Sequence, residues 1–183
     1  MSAITFPTQI EPFKAAEQDF SWSGIVPLAR FKRIAREAVS PVDDLGITLS
    51  CRLHEDDRGV AWLSAHLVTT VNLTCQRCLA AVEETLDTTV LLAILADQAH
   101  AERISEDADY VVLSEEQLAH GADDDCQTID LIEWLEDELL LSMPLSPRHE
   151  QCEMAVKPAA ADEPVRQANP FGILASLKRG SDA

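Results

Sequence analysis

Residues 62–94 read WLSAHLVTTVNLTCQRCLAAVEETLDTTVLLAI, and their period decides the fold. Before the tetrapeptide Cys75-Gln76-Arg77-Cys78, the residues Leu63, Ala65, Leu67, Val71, Leu73 and Cys75 fall on one face, with Trp62, Ser64, His66, Thr70, Asn72 and Thr74 on the other. After it, Val82, Leu86, Val90, Leu92 and Ile94 keep the same spacing. Successive side chains of a strand point to opposite faces, so a period of two marks half-buried strands. Two of them around a short polar break predict an antiparallel hairpin with the cysteine pair at its tip.

Working outward, Ile47, Leu49, Cys51 and Leu53 alternate with Thr48, Ser50 and Arg52, a further strand that ends at a turn over residues 54–59. Upstream, Leu28, Phe31, Ile34, Ala35 and Ala38 recur at helical spacing, which predicts a helix from Pro27 to Val39, stopped by Pro41. Its other side carries Arg30, Lys32, Arg33 and Arg36. Downstream, Tyr110–Leu113 reads as a short strand and residues 121–125 as a loop. A second helix is expected from an N-cap at Thr128 to about Ser142, before Pro144. Leu131, Ile132, Leu135 and Leu139 form its core stripe, with Asp130, Glu133, Glu136 and Asp137 opposite. Trp134 lies towards the acidic side, at the core edge or on a binding surface.

The fold class expected from these elements is α+β: an antiparallel sheet, with barrel-like closure as one option, packed by two main helices. Residues 1–150 are read as one domain with an acidic insertion around 97–127. An Ala- and Pro-rich flexible linker follows over 151–168, and then a short helical motif over 169–179. In that motif Phe171, Leu174 and Leu177 repeat every third residue behind Asn169-Pro170. It suits docking in a partner's groove or folding back on its own domain.

Composition limits the function. Of 183 residues 46% are hydrophobic, enough for one core, while 32 acidic against 14 basic side chains leave a formal net charge of −18. Residues 97–138 hold fifteen acids and one arginine, a local charge of −14. Phosphate backbones are repelled by such a field on average, so any RNA contact must be local, and a basic protein partner fits better. The start lacks a basic segment followed by an apolar run, and the longest apolar run, Val90–Ala96, is far short of a membrane span. A cytoplasmic chain with neither a membrane nor a small-molecule substrate is expected. Five cysteines in a reducing compartment then point to free thiols or metal ligands.

No nucleotide-binding glycine pattern or nucleophile elbow is present. Clustered carboxylates leave a metal-dependent RNA-processing enzyme as an alternative, but the run Glu136-Asp137-Glu138 reads more simply as a solvated helix face. The strongest chemical signal is the pair Cys75 and Cys78, because a tight turn aims two thiols at one point. His149 and Cys152, at the same spacing beyond the second helix, would complete a tetrahedral zinc site if that helix folds back on the hairpin. Unliganded structural cysteines are the alternative; a redox pair would call for a βαβ context that is missing. Cys51 and Cys126 are read as bystanders.

Three motifs in order then resemble one family. They are Leu73-Thr-Cys75-Gln-Arg-Cys78-Leu79; Ile129-Asp-Leu-Ile-Glu-Trp-Leu-Glu-Asp137-Glu138-Leu with Met143-Pro144-Leu-Ser-Pro147-Arg-His149; and Asn169-Pro-Phe-Gly-Ile-Leu-Ala-Ser-Leu-Lys178. Phe13-Lys-Ala-Ala and Phe20-Ser-Trp-Ser-Gly24 fit as well. This order resembles the bacterial YceD family, described as a large ribosomal RNA subunit accumulation protein. The resemblance implies a non-enzymatic role in synthesis, processing or stability of 23S rRNA, with no established cofactor. Some members of the wider family look like zinc binders through further cysteine pairs, whereas here that region offers only His149 and Cys152. Expected partners are a large-subunit ribosomal protein or pre-ribosomal particle, and 23S rRNA or its precursor, directly or indirectly. Glu133, Trp134, Glu136, Asp137, Phe171, Leu174 and Leu177 are the candidate partner contacts. Arg30, Lys32, Arg33, Arg36 and Arg77 are the candidate RNA contacts, with an ordinary solvated helix face as the alternative for the first four.

Overall fold

Strands β4 (Ala61–Thr74) and β5 (Ala81–Leu95) pair antiparallel, from Ala61 opposite Ile94 to Thr74 opposite Ala81. One face of the pair buries Leu63, Ala65, Leu67, Val71, Leu73, Val82, Leu86, Val90 and Ile94, as the alternation requires. Thr69 shares that face at 4% exposure. Its hydroxyl donates to the carbonyl of Gly46 at 3.1 Å, so it is not stranded there. β3 (Gly46–Glu55) pairs with β4 on the other side, and β2 (Ser21–Pro27) pairs antiparallel with β3. β6 (Tyr110–Val112) adds in parallel to β5. The order β2-β3-β4-β5-β6 leaves two edges, so the sheet is open and not a barrel.

The structure, a computed structural model, describes residues 5–42, 44–105, 108–113, 119–120 and 127–154. Contacts divide the chain into Met1–Glu153 and Met154–Ala183, and the helical motif expected at 169–179 lies outside the described residues, as do the loop at 121–125 and Cys126. A second, three-stranded sheet joins β1 (Gln9–Ile10), β8 (Gln127–Asp130) and β7 (Ala119–His120) in the order β1-β8-β7. Helix α1 (Pro12–Glu17) lies against β3 and β4, and α3 (Leu131–Leu141) against β5. The fold is α+β, with the core between the sheet and these helices. No helix among the described residues is long and apolar enough to cross a membrane.

The helix expected from Pro27 to Val39 is much shorter. Residues up to Pro27 stay extended because they are paired with β3 as far as Gly46; Leu28–Arg30 form a single 3-10 turn, and α2 spans only Lys32–Glu37. Strand pairing outweighed the local helical spacing, and Val39 N–H donating to Asn72 O at 2.9 Å pins the exit. The cap of α3 also differs. Thr128 is held extended in β8 with its hydroxyl on Gln9 Oε1 at 2.7 Å, and Asp130 takes over, accepting from Glu133 N–H at 3.1 Å.

Glu136 is buried at 5% exposure. Its carboxylate accepts from Arg33 N–H at 2.6 Å, Ile34 N–H at 3.1 Å and Arg33 Nε at 2.9 Å. The residue before α2 is Phe31, which offers no side-chain cap, so an acid from α3 satisfies the two N–H groups that a cap would normally take. Arg33 further binds the Asp137 carboxylate and, at 3.0 Å, Glu133 O. Removing Glu136 strands those donors. Glu136→Ala is expected to cost about 2–3 kcal/mol in urea unfolding, and an unchanged midpoint would remove the capping role.

Burial on the core face of β3 pushes the Cys51 thiol up to about 11, above its ordinary 9.0. Folding therefore favours the neutral thiol, and that contribution is complete below pH 9 and lost as pH rises towards 11. Iodoacetamide at pH 9 is expected to spare Cys51 in the native chain and to alkylate it after urea unfolding, read by peptide mass.

Candidate metal centre

At the end of the hairpin the chain must reverse within residues 75–80. Leu79 N–H donates to Cys75 O at 3.0 Å, and Cys75 N–H to Ala80 O at 2.9 Å. This closure sets Leu79 at φ 63°, a left-handed conformation that costs a side-chain-bearing residue roughly 1–2 kcal/mol. Beyond α3 the chain returns to the same place. Gln76 N–H donates to Pro147 O at 2.8 Å, which aligns residues 147–152 with the tip.

Four ligand atoms converge there. Cys75, Cys78, His149 and Cys152 offer three sulfurs and one ring nitrogen, all within 4.8 Å of one another. Cys75 Sγ lies 3.8 Å from Cys152 Sγ, and Cys78 Sγ lies 3.3 Å from His149 Nδ1. With metal–sulfur bonds of about 2.3 Å and metal–nitrogen bonds of about 2.0 Å, a tetrahedral centre has edges of roughly 3.8 Å and 3.5 Å. The donor set and these two edges fit a metal ion. His149 Nε2 stands 3.0 Å from Ala81 O. A carbonyl only accepts, so Nε2 carries the proton and Nδ1 keeps its lone pair for the cluster.

The backbone prepares the first ligand. The Cys78 N–H, with those of Arg77 and His149, holds the Cys75 thiol down at about 5 against the burial that would raise it. Cys152 moves the other way, raised by burial and by hydrogen bonding and charge from Cys75 and Cys78. A preformed Cys75 thiolate beside the Cys152 thiol, which resists ionising, is a site that a cation completes.

None of the other described candidates joins this cluster; Arg30, Lys32, Arg33 and Arg36 gather round one hollow among the α3 acids. Arg30 donates to Phe6 O at 3.0 Å and Thr8 Oγ1 at 2.6 Å, and Arg33 is held by the α3 acids. Lys32 and Arg36 are exposed and border that hollow, of ≈ 290 Å³, with Asp130, Glu133 and Glu136. Arg77 stands apart from them at the hairpin tip. Trp134 lines a different cavity, of ≈ 280 Å³, between α3 and the sheet, with Leu63, Val90, Leu92, Val111 and Leu135 and with Asp137 and Glu138 on its rim. Phe171, Leu174 and Leu177 lie outside the described residues. The reading of the sequence passed over Glu138, and over Leu79, Leu145 and Arg148 beside the metal ligands; the left-handed turn demanded directly after Cys78 was the signal for Leu79.

The family model described as large ribosomal RNA subunit accumulation protein YceD matches residues 63–178. The chain belongs to the YceD family. The large ribosomal RNA subunit accumulation protein YceD of Haemophilus influenzae is 27% identical over 185 residues, covering 98% of this chain and 99% of the relative. No solved structure matches. In this YceD-family chain, the hairpin tip and all four clustered ligands fall inside the matched span. Titrating the reduced chain with Co²⁺ is expected to give thiolate-to-metal absorption that saturates at about one ion per chain. Cys75→Ser should abolish that absorption, and an unaltered band in the variant would exclude the site.

Proposed function

We propose that the chain supports accumulation of large-subunit ribosomal RNA as a non-enzymatic assembly factor, holding a basic large-subunit protein on its acidic side. Family membership supports the biological setting, and a cytoplasmic place of action belongs to the same reading. The observation that carries the binding mode is the cavity of ≈ 280 Å³ beneath α3. Its floor is apolar, from Leu63, Val90, Leu92 and Val111, and its wall is Trp134 and Leu135. Such a cavity takes one apolar side chain.

The rim adds charge. Burial raises the Glu138 carboxyl, and the nearby Asp109 and Asp137 carboxylates raise it further. Part of Asp137 is neutralised by Arg33, so Glu138 and Asp109 are the acids with most to gain from an incoming cation. A segment with an apolar residue flanked by lysine or arginine satisfies both requirements at once, and basic ribosomal proteins are built of such segments. Shielding that surface until rRNA arrives is a chaperone-like service that needs no reaction centre.

In the same reading the ion held by Cys75, Cys78, His149 and Cys152 is zinc, serving structure. Three thiolates and one imidazole suit it, and with all four tetrahedral positions given to protein no position is left for a substrate.

Basic peptides carrying one apolar residue, drawn from large-subunit ribosomal proteins, are expected to bind in titration calorimetry and, in the unaltered chain, to quench Trp134 fluorescence. Glu138→Lys and Trp134→Ala should each weaken that binding about tenfold. A pull-down at moderate salt that recovered rRNA but no ribosomal protein would overturn the acidic-face reading.

A further inference from the structure

The hairpin tip carries a side chain that the fold does not explain. The turn after Cys78 requires a left-handed residue, which glycine supplies without steric cost, yet Leu79 stands there at φ 63°. Burial does not compensate, because Leu79 is 62% exposed. A bulky residue in this conformation and open to solvent is strain that folding alone does not justify. Leu145, on the strand of chain tied to the tip through Pro147, is exposed as well, at 104%.

Cations accompany the leucines. Arg77 precedes Cys78 and Arg148 precedes His149, and both are exposed. Among the described residues neither forms an ion pair; Arg148 Nε donates to Ser146 Oγ at 3.0 Å. Each guanidinium keeps most of its donors for a partner. Such forks match phosphate oxygens, whereas a basic protein segment would be repelled.

We propose that this tip contacts single-stranded or looped RNA, with Arg77 and Arg148 on phosphates and Leu79 and Leu145 against an unstacked base. The net charge does not oppose this. The α3 acids Asp137 and Glu138 border the cavity over Val90 and Leu92, nine or more residues of β5 from its tip end at Ala81, roughly 30 Å of strand against a screening length of about 8 Å. Glu83 and Glu150 are the acids nearest in sequence to the tip, so attraction comes from two directed guanidinium contacts and not from a broad positive field. RNA loops and single strands are read in this way, by phosphate contacts plus packing on splayed bases.

The proposal uses a surface separate from the acidic cavity, so the two can fail independently. The test uses the full, metal-loaded chain and an in vitro transcript of large-subunit rRNA. Ultraviolet crosslinks are expected in peptides spanning 76–81 and 144–148. Arg77→Gln with Arg148→Gln should weaken binding and flatten the log–log salt dependence by about 1.4, two contacts at the single-strand slope. The decisive variant is Leu79→Gly. It relieves the turn, so metal stoichiometry should be unchanged and thermal stability equal or higher, while transcript affinity falls about tenfold. Wild-type affinity in Leu79→Gly, no binding of the transcript, or crosslinks confined to other elements would each overturn the proposal. So would a tip that crosslinks to large-subunit proteins in place of RNA, which would make it a protein-binding surface.

Discussion

The register between β4 and β5 governs everything else in this molecule. Because side chains alternate with a period of two, a slip of β5 by one residue would turn Leu86, Val90 and Ile94 to solvent and bring Asp87 and Thr89 into the core. The same slip would move Cys75 out of the turn that its own N–H closes on Ala80. One ladder therefore sets both the core and the first two metal ligands. The positions of β3, β6 and α3 follow, since each is seated on β4 or β5.

Half of that ladder has no third strand beside it, although its Val71, Leu73, Val82 and Leu86 are buried in the core. β3 reaches β4 only as far as Thr48 opposite Val68, so beyond that point Thr69–Thr74 and Ala81–Leu86 form a two-stranded ribbon among the described residues. A two-stranded ribbon is marginal in water on its own. Its attachments are few and specific: Thr69 to Gly46, Asn72 to Val39, Gln76 to Pro147 and Ala81 to His149. Clustered ligands at the far end fit this need. A metal ion there would tie Cys75 and Cys78 of the ribbon to His149 and Cys152 of the returning chain, at the end of the ladder that no third strand reaches among the described residues.

What could be read beforehand divides along the range of the interaction. The hairpin, its cysteine tip and the core stripe of α3 were legible because each follows from the spacing of near neighbours. α2 was misjudged because Ser21–Pro27, with apolar residues only at Trp22, Ile25 and Val26, gives little sign of a strand until β3 is there to pair with it. Thr128 failed as a cap for the same reason, since pairing with Ala119 of β7 and a side-chain bond to Gln9 hold it extended. Cys75 and Cys78 were visible as a pair, whereas the approach of His149 and Cys152 goes with contacts distant in sequence, Gln76 N–H to Pro147 O and His149 Nε2 to Ala81 O, that no local pattern encodes.

Glu136 is the instructive residue of α3, because the helical wheel did contain its signal. At 100° per residue Leu131, Leu135, Leu139 and Ile132 span about 100° of arc, and Glu136 lies only about 40° beyond Ile132. Glu138 and Trp134 flank the opposite edge, while Glu133 and Asp137 face away. An acid at the margin of a core arc is within reach of whatever element packs beside it. In this chain that element is α2, whose first N–H groups lack a cap of their own, and so the two margins take opposite roles. Glu136 is consumed in holding the fold together, and Glu138 is left at the mouth of a cavity with its charge unanswered. A run of three acids that reads as one solvated face is thus split by the wheel into a structural residue, a paired residue and a free one.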